Sequence, residues 1–166
     1  MIRIGKIAAT HGLQGDIVLA HILDKKGWLK KNEVLFLELN KGSFIPFFVV
    51  QIKADKEEEC VLKLEDITTI EAAKKLIGKQ VYVEDAILEK QKTDTPLLWT
   101  GFTIIDRKQG EIGTIKEVMQ TAHQWLASVN YNGRDVLIPL VPEMILDLNV
   151  RNNYIRMDLP EGLLDV

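Results

Sequence analysis

The sequence has few of the side chains on which redox, metal and nucleophilic chemistry depend. Its 166 residues include one cysteine, Cys60, and three histidines. A lone thiol excludes an internal disulfide and suits a reducing compartment. The histidines, His11, His21 and His123, are scattered over turn, strand and loop segments. We therefore expect no metal site.

Motifs that tie residue spacing to chemistry are also missing. The chain contains no Walker A, G-x-G-x-x-G, H-E-x-x-H or G-x-S-x-G motif and no C-x-x-C pair. His11 lies in a glycine-rich turn without a serine, cysteine or carboxylate at a recognisable spacing. The sequence therefore predicts a binding protein with no catalytic residue, no metal and no cofactor.

Long apolar segments are absent as well. No stretch approaches the roughly 20 apolar residues that a membrane helix needs, and residues 1–6 do not begin a secretion signal. We expect a cytoplasmic protein without a membrane partner.

The formal net charge is −3, and the surplus lies in the second part of the chain. Residues 1–96 carry 15 basic and 15 acidic side chains, whereas residues 97–166 carry six basic and nine acidic ones. An acidic second part disfavours nonspecific nucleic-acid binding there and suits a basic protein partner. The alternative is that the extra carboxylates only aid solubility.

Alternating apolar and polar residues predict strands through the first half of the chain. The predicted strands cover residues 2–9, 17–23, 33–39, 44–53, 60–65 and 79–84. One amphipathic segment near residues 69–77 predicts a short helix, with Thr68 and Glu71 at capping-box spacing and Gly78 after its end. In the strand at 60–65, Cys60 should face inward.

Two loops of the first half are candidates for contact with a partner. In the turn at residues 10–16, Gly12 and Gly15 bracket Leu13, and we expect positive φ at both glycines with Leu13 tucked inward. In the loop at residues 24–32, lysines surround Trp28. That composition fits phosphate contact with base stacking, or alternatively a buried Trp28 that anchors a solvated loop.

A polar stretch ending in Pro96 predicts a linker at residues 89–96, between a domain at 1–88 and a second at 97–166. The second domain should be a small antiparallel barrel, with a type I′ hairpin at Asn132-Gly133. The apolar run at 135–142 reads as a buried strand whose pairing ends near Pro139, and residues 160–166 as a tail with one helical turn. The expected fold class is all-β, two small β-barrels with one short helix.

Several segments, taken together and in order, resemble the bacterial ribosome maturation factor family RimM. They are Gly5-Lys6-Ile7, His11 to Gly15, the segment from Leu64-Glu65-Asp66 to Gly78, Gly113 to Val118, Leu137-Ile138-Pro139 and Pro160 to Asp165. The resemblance implies an N-terminal six-stranded barrel, like the second domain of translation elongation factors, and a C-terminal PRC barrel. It also implies a non-enzymatic, monomeric assembly factor that binds ribosomal protein S-nineteen, a basic protein, and the immature small subunit with its 16S rRNA.

The resemblance also suggests site residues. Family members often carry two tyrosines at the start of the PRC barrel; Leu97 and Leu98 occupy those positions here, followed by Trp99. The segment Thr121 to Trp125 likewise departs from the family's usual glycine followed by asparagine or aspartate. We expect S-nineteen to bind near Leu97, Leu98, Trp99, Pro142 and Glu143. Expected contacts with rRNA or the ribosome are His11, Leu13, Lys25, Lys26, Trp28, Lys30 and Lys31.

Two other functions stay open at this point. One is an rRNA-binding module that acts mainly through the lysines around Trp28. The other is an enzyme fold of the barrel type found beside flavin reductases, which the missing phosphate-binding motifs disfavour.

Overall fold

The computed structural model describes residues 1–165. The chain forms two compact units, Met1–Leu88 and Glu89–Val166. Both are built mainly from strands, which confirms the all-β prediction.

The first unit is a closed barrel of six antiparallel strands in the order β1-β2-β5-β4-β3-β6. Its strands are β1 (Ile2–His11), β2 (Asp16–His21), β3 (Val34–Asn40), β4 (Ser43–Asp55), β5 (Glu59–Leu64) and β6 (Gln80–Val83). Alternate residues fill the interior, among them Ile4, Leu19, Leu35 and Leu37, each 0% exposed. Cys60 is 2% exposed and points inward as predicted. Burial raises the pKa of its thiol to about 12, which keeps it protonated and unreactive.

Gly5 lets β1 bend close to β2. The pairing of β1 with β6 shifts register between Arg3 and Gly5. A Cβ at Gly5 would lie 1.9 Å from the carbonyl oxygen of Ala20, so no other residue fits without moving the backbone.

The predicted helix forms as α1 (Ile70–Lys74). Its N-cap lies one residue later in the sequence than expected. Thr69, not Thr68, is the N-cap: its Oγ1 accepts from the Ala72 backbone N–H at 3.2 Å. Gly78 has φ +85°, as expected after a helix end. Ile77 lies beyond the end of α1 and is 44% exposed.

The second unit is a six-stranded sheet in the order β10-β9-β8-β7-β12-β11. Its strands are β7 (Thr103–Asp106), β8 (Gly110–Gln120), β9 (Trp125–Tyr131), β10 (Arg134–Pro139), β11 (Ile145–Asn149) and β12 (Tyr154–Met157). The prediction of a wholly antiparallel barrel is wrong, since β12 pairs in parallel with β7. Strand β11, an edge strand beside β12, was not predicted.

Helical turns precede β7, and the first of them lies where a linker was expected. Residues Glu89–Lys92 form α2, and Pro96–Trp99 form a 3-10 turn with proline at its start. Gln91 and Lys92 are 9% and 7% exposed, so this stretch is folded into the structure. Proline at the first turn of a helix leaves no missing hydrogen bond, which is why Pro96 begins a helical turn here.

The apolar run at 135–142 is an edge strand with one buried face. Val136, Ile138 and Leu140 are at most 4% exposed, whereas Leu137 is 49% exposed. The preceding hairpin has φ +52° at Asn132 and +81° at Gly133, as a type I′ turn requires. Pairing with β9 ends at Pro139, as predicted. An edge position explains why a proline is tolerated there.

Asp106 ties the turn after β7 to the C-terminal segment. The carboxylate is 4% exposed and accepts backbone N–H bonds from Leu159 (2.9 Å), Gln109 (2.9 Å) and Lys108 (3.1 Å). Burial alone would raise its pKa, but these donors and the N–H of Arg107 outweigh burial and lower the pKa below its ordinary value. The ionised carboxylate is therefore part of the folded structure.

We predict that Asp106→Asn destabilises the second unit by about 1–3 kcal/mol at pH 7, because an amide offers one acceptor oxygen where the carboxylate offers two. A carboxylate whose pKa is lowered by folding stabilises above its unfolded-state pKa, and this contribution is lost as the pH falls through the folded-state value. The difference between variant and wild type should shrink accordingly on acidification. Denaturant unfolding at several pH values measures it. Exposed Asp147→Asn is the control, and an equal effect there would contradict the assignment.

Candidate functional site

A groove of about 480 Å³ opens on the second unit, lined mainly by apolar side chains. The lining residues are Thr93, Asp94, Pro96, Trp99, Trp125, Leu140, Pro142, Ile145 and Leu148. Volumes of this size are typical of ligand pockets or of pockets that accept one or two side chains of a partner protein. We call this surface the tryptophan groove.

Trp99 is held firmly at one wall of the tryptophan groove. It ends the 3-10 turn Pro96–Trp99 and is 4% exposed, within the core cluster of the second unit. Its indole N–H donates to the carbonyl oxygen of Lys92, and its own carbonyl accepts from the Phe102 N–H at 2.9 Å. A satisfied indole N–H lets the ring present an apolar edge to the groove.

Trp125 forms another part of the wall from the start of β9. The turn before it is closed by Thr121, whose N–H donates to the carbonyl oxygen of Gln124 at 2.9 Å. The carbonyl of Trp125 accepts from the Leu140 N–H at 2.9 Å, which joins the two lining residues across the hairpin. Trp125 is half-buried and packs against the core cluster. The segment that departs from the family pattern thus contributes directly to the groove.

The structure brings together some of the residues expected to bind a protein. Trp99 and Pro142 both line the groove, although they are far apart in sequence. Glu143 follows Pro142 and is exposed in the turn Pro142–Met144. Leu97 is half-buried against the core, and Leu98 is 6% exposed. The leucines that replace the tyrosine pair therefore offer little surface.

Sequence reasoning missed Trp125, Leu140, Ile145 and Leu148 as lining residues. The last two both belong to the unpredicted strand β11. Trp125 stood in a segment already marked as unusual, and a large aromatic there was the available signal.

Carboxylates accompany the tryptophan groove. Asp94 lines it, and Glu143 is adjacent to lining residue Pro142. Together with the acidic excess of residues 97–166, they give this surface a field suited to a basic partner.

In the first unit, the turn between β1 and β2 presents Leu13 to solvent. Gly12 and Gly15 have φ of +68° and +88° as expected, but Leu13 is 80% exposed, so the prediction that it tucks inward is wrong. Gly15 packs against the backbone of Ile67 and Thr69, which turns the loop away from the barrel. His11 is also exposed. Both remain available for contact.

The lysine-rich loop is anchored by Trp28, which is 2% exposed. Its Nε1–H donates to Nε2 of His21 at 3.4 Å, and the rings pack edge to face at 5.2 Å. Burial lowers the pKa of His21, outweighing the opposing Lys56 carbonyl and Asp55, so the imidazole is neutral near pH 7 and can accept this bond. A buried indole offers no face for base stacking, and the anchoring alternative describes this conformation.

The lysines of that loop lie partly beside acidic residues. Lys25 is half-buried, while Lys26, Lys30 and Lys31 are exposed. Lys26 borders a surface depression together with Glu57, Glu58 and Glu59, and the Gly27 N–H donates to Asp55 at 2.8 Å. These carboxylates offset the positive charge that would attract RNA.

We predict that Trp28→Ala destabilises the first unit by about 3–5 kcal/mol, because it removes a large buried ring and its partner for His21. Trp28→Phe should recover most of that loss, and Lys30→Gln with Lys31→Gln should change stability by less than about 0.5 kcal/mol. Thermal and denaturant unfolding measure both. Unchanged stability of Trp28→Ala would show that the ring is not an anchor.

Within residues 1–165, no group of three or more histidine, cysteine, aspartate or glutamate side chains is arranged to hold a metal ion. The helices described there are too short and too polar to cross a membrane.

Comparisons with known proteins point to one family. The model of the RimM N-terminal domain matches residues 2–88, and that of the RimM PRC barrel domain matches residues 99–163. A ribosome maturation factor RimM of Azobacteroides pseudotrichonymphae is 32% identical over 173 residues, covering 99% of this chain and 96% of the relative. That of Christiangramia forsetii is 30% identical over 165 residues, covering 98% and 94%.

A crystal structure of a RimM 16S ribosomal RNA processing protein from Pseudomonas aeruginosa is also similar. It is 18% identical, with a TM-score of 0.42 over 96% of this chain and 97% of that one.

Proposed function

Because the chain belongs to the RimM family of ribosome maturation factors, we propose that it is a non-enzymatic assembly chaperone that binds ribosomal protein S-nineteen through the tryptophan groove. In this role it supports maturation of the 30S subunit head and processing of 16S rRNA. It acts as a cytoplasmic monomer.

The observation that carries the proposal is the meeting of Trp99, Trp125 and Pro142 in one apolar groove. Rigid aromatic walls around a pocket are typical of the sites where one or two side chains of a partner supply most of the binding energy. Polar and charged residues at the edge then exclude water and select the partner. The groove has both features.

Charge supports a basic partner at this surface. The second part of the chain has nine acidic against six basic side chains, and Asp94 lies in the groove wall. Complementary fields raise the association rate and disfavour acidic competitors. S-nineteen, a basic protein, fits this field better than RNA does.

The first unit contributes contacts with the immature small subunit in this proposal. Leu13, which is 80% exposed, and His11 form one contact at the β1–β2 turn. The exposed lysines Lys26, Lys30 and Lys31 can add phosphate contacts, but the burial of Trp28 removes the stacking on which a stronger role for this loop depended.

We predict that Trp125→Ala weakens binding to purified S-nineteen by about 30-fold or more, as expected for an aromatic residue at the centre of an interface. Glu143→Lys should mainly slow association at low salt, because it reverses a charge at the edge of the groove. Surface plasmon resonance with the full chain measures both rates.

Leu137→Ala is the matched control, since Leu137 is 49% exposed in the second unit and does not line the groove. Circular dichroism and thermal unfolding confirm that each variant is folded. No binding of wild type at micromolar concentrations and low salt would overturn the proposal. Equal affinity of Trp125→Ala and wild type would place the interface elsewhere.

A further inference from the structure

The outer wall of the first unit's barrel carries a band of aromatic and apolar side chains. It crosses β4, β3 and β6. One end of the band adjoins the end of the lysine-rich loop, where the Asn32 N–H donates to the Val49 carbonyl at 2.8 Å. We call it the aromatic face; it consists of Val34, Phe36, Phe44, Pro46, Phe48 and Tyr82.

Strand register places these residues on one side of the sheet. Leu35 and Leu37 are 0% exposed and fill the barrel, so Phe36 between them points outward. Phe36 is directly opposite Pro46 on β4 and Tyr82 on β6. Directly paired residues share a face of the sheet, which aligns the three side chains in one row.

Two of the rings pack against each other, and the rings of the band remain partly open to solvent. Phe44 and Tyr82 meet edge to face with centroids 4.8 Å apart. Phe48, opposite Val34, is 49% exposed, and Phe36, Phe44 and Tyr82 are half-buried. The edge-to-face contact orients the Phe44 and Tyr82 rings, while the outer surfaces of the band stay accessible and form an exposed apolar patch.

Cations extend the aromatic rows on β1. Arg3 is directly opposite Tyr82, and Lys6 is directly opposite Gln80 in the next row. Both are exposed. The Arg3 guanidinium donates to the side-chain oxygen of Gln80, which holds it beside the tyrosine.

The carboxylate in these rows is already engaged. Glu38 accepts from the Tyr82 hydroxyl at 3.3 Å and from the Gly42 N–H at 2.9 Å. At the next residue of β3, the Leu39 carbonyl accepts from the Lys79 ammonium at 2.8 Å. The band thus has cations along its β1 side and a carboxylate turned to internal partners.

We propose that the aromatic face binds single-stranded RNA, with bases stacking on the rings and phosphates contacting Arg3 and Lys6. Aromatic rings beside a line of cations are the recurring composition of single-strand platforms. The face lies on the convex wall of a barrel, where separate rings can each take a base. The lysine-rich loop lacks an accessible ring and lies beside Glu57 to Glu59, so it fits RNA less well.

RNA binding by the aromatic face would supply the rRNA contact of the proposed function. It rests on that function only for the identity of the RNA that is bound in the cell. It is independent of the S-nineteen interface on the second unit. An assay that contains RNA and no S-nineteen therefore fails or succeeds separately from the groove experiment.

The test is fluorescence anisotropy of the full chain with labelled single-stranded oligoadenylate of about 12 nucleotides, which spans a typical single-strand site. The decisive variant combines Phe36→Leu with Tyr82→Leu. Leucine retains apolar volume but has no aromatic face, so we expect about tenfold weaker RNA binding or more. The combination of Arg3→Gln and Lys6→Gln should lower the salt slope of binding by about 1.4, since each phosphate contact on a single strand contributes about 0.7.

Tyr131→Leu, which removes a half-buried ring from the second unit, is the matched control for the aromatic pair. Arg134→Gln with Arg151→Gln, which removes two exposed cations of the second unit, is the control for charge. Both controls should bind RNA like wild type. Lys30→Gln with Lys31→Gln measures the contribution of the lysine-rich loop and should weaken RNA binding less than the aromatic pair does. Unfolding curves establish that all variants are folded.

Three outcomes would overturn the inference. One is no binding by wild type up to about 100 μM protein at about 50 mM salt, conditions under which even nonspecific RNA contacts are measurable. The second is equal binding by wild type and the folded leucine variant. The third is loss of binding only in the Lys30 and Lys31 variant, which would assign RNA to the loop.

Discussion

Burial of one face of each strand is the constraint on which both units depend. In the first unit, closure of the sheet commits every inward position to the core, as the 0% exposure of Leu35 and Leu37 illustrates. Outward-facing side chains are then not needed to fill the core and can contact partners. The aromatic face consists of outward-facing side chains, whereas the Trp28 side chain is buried.

The tryptophan groove lies where the strands, with their alternating buried and exposed residues, give way to turns. The 3-10 turns Pro96–Trp99 and Pro142–Met144 begin with prolines, which cannot take part in a strand ladder as donors. They bring Trp99 and Pro142 beside Trp125 and leave a gap that no strand fills. Together the two units offer chemically different surfaces, one apolar with carboxylates and one aromatic with cations. This division is what the two proposals require, with a basic protein bound by the second unit and RNA by the first.

Local patterns in the sequence predict much of this fold. Asn132-Gly133 sets a hairpin because both positions accept positive φ, and the alternation around Cys60 assigns its face correctly.

The parallel pairing of β12 with β7 could not be predicted, because it joins segments about 50 residues apart and depends on which edges meet. The aromatic face could not be predicted from the sequence for another reason. The stretch from Phe44 to Val50 is almost continuously apolar, so hydrophobic periodicity alone does not show which side of the strand faces the core. Leu13 was expected to face inward but is exposed, because two glycines turn it outward. Composition left two environments open for Trp28, and the buried one is found because His21 offers its indole a buried partner.

The central claim is that the tryptophan groove receives the basic ribosomal protein. Amide hydrogen exchange of the full chain, with and without saturating S-nineteen, tests it most directly. We predict slower exchange in residues 93–99, 121–126 and 140–148. Protection confined to other segments, with exchange in these three unchanged, would contradict the claim.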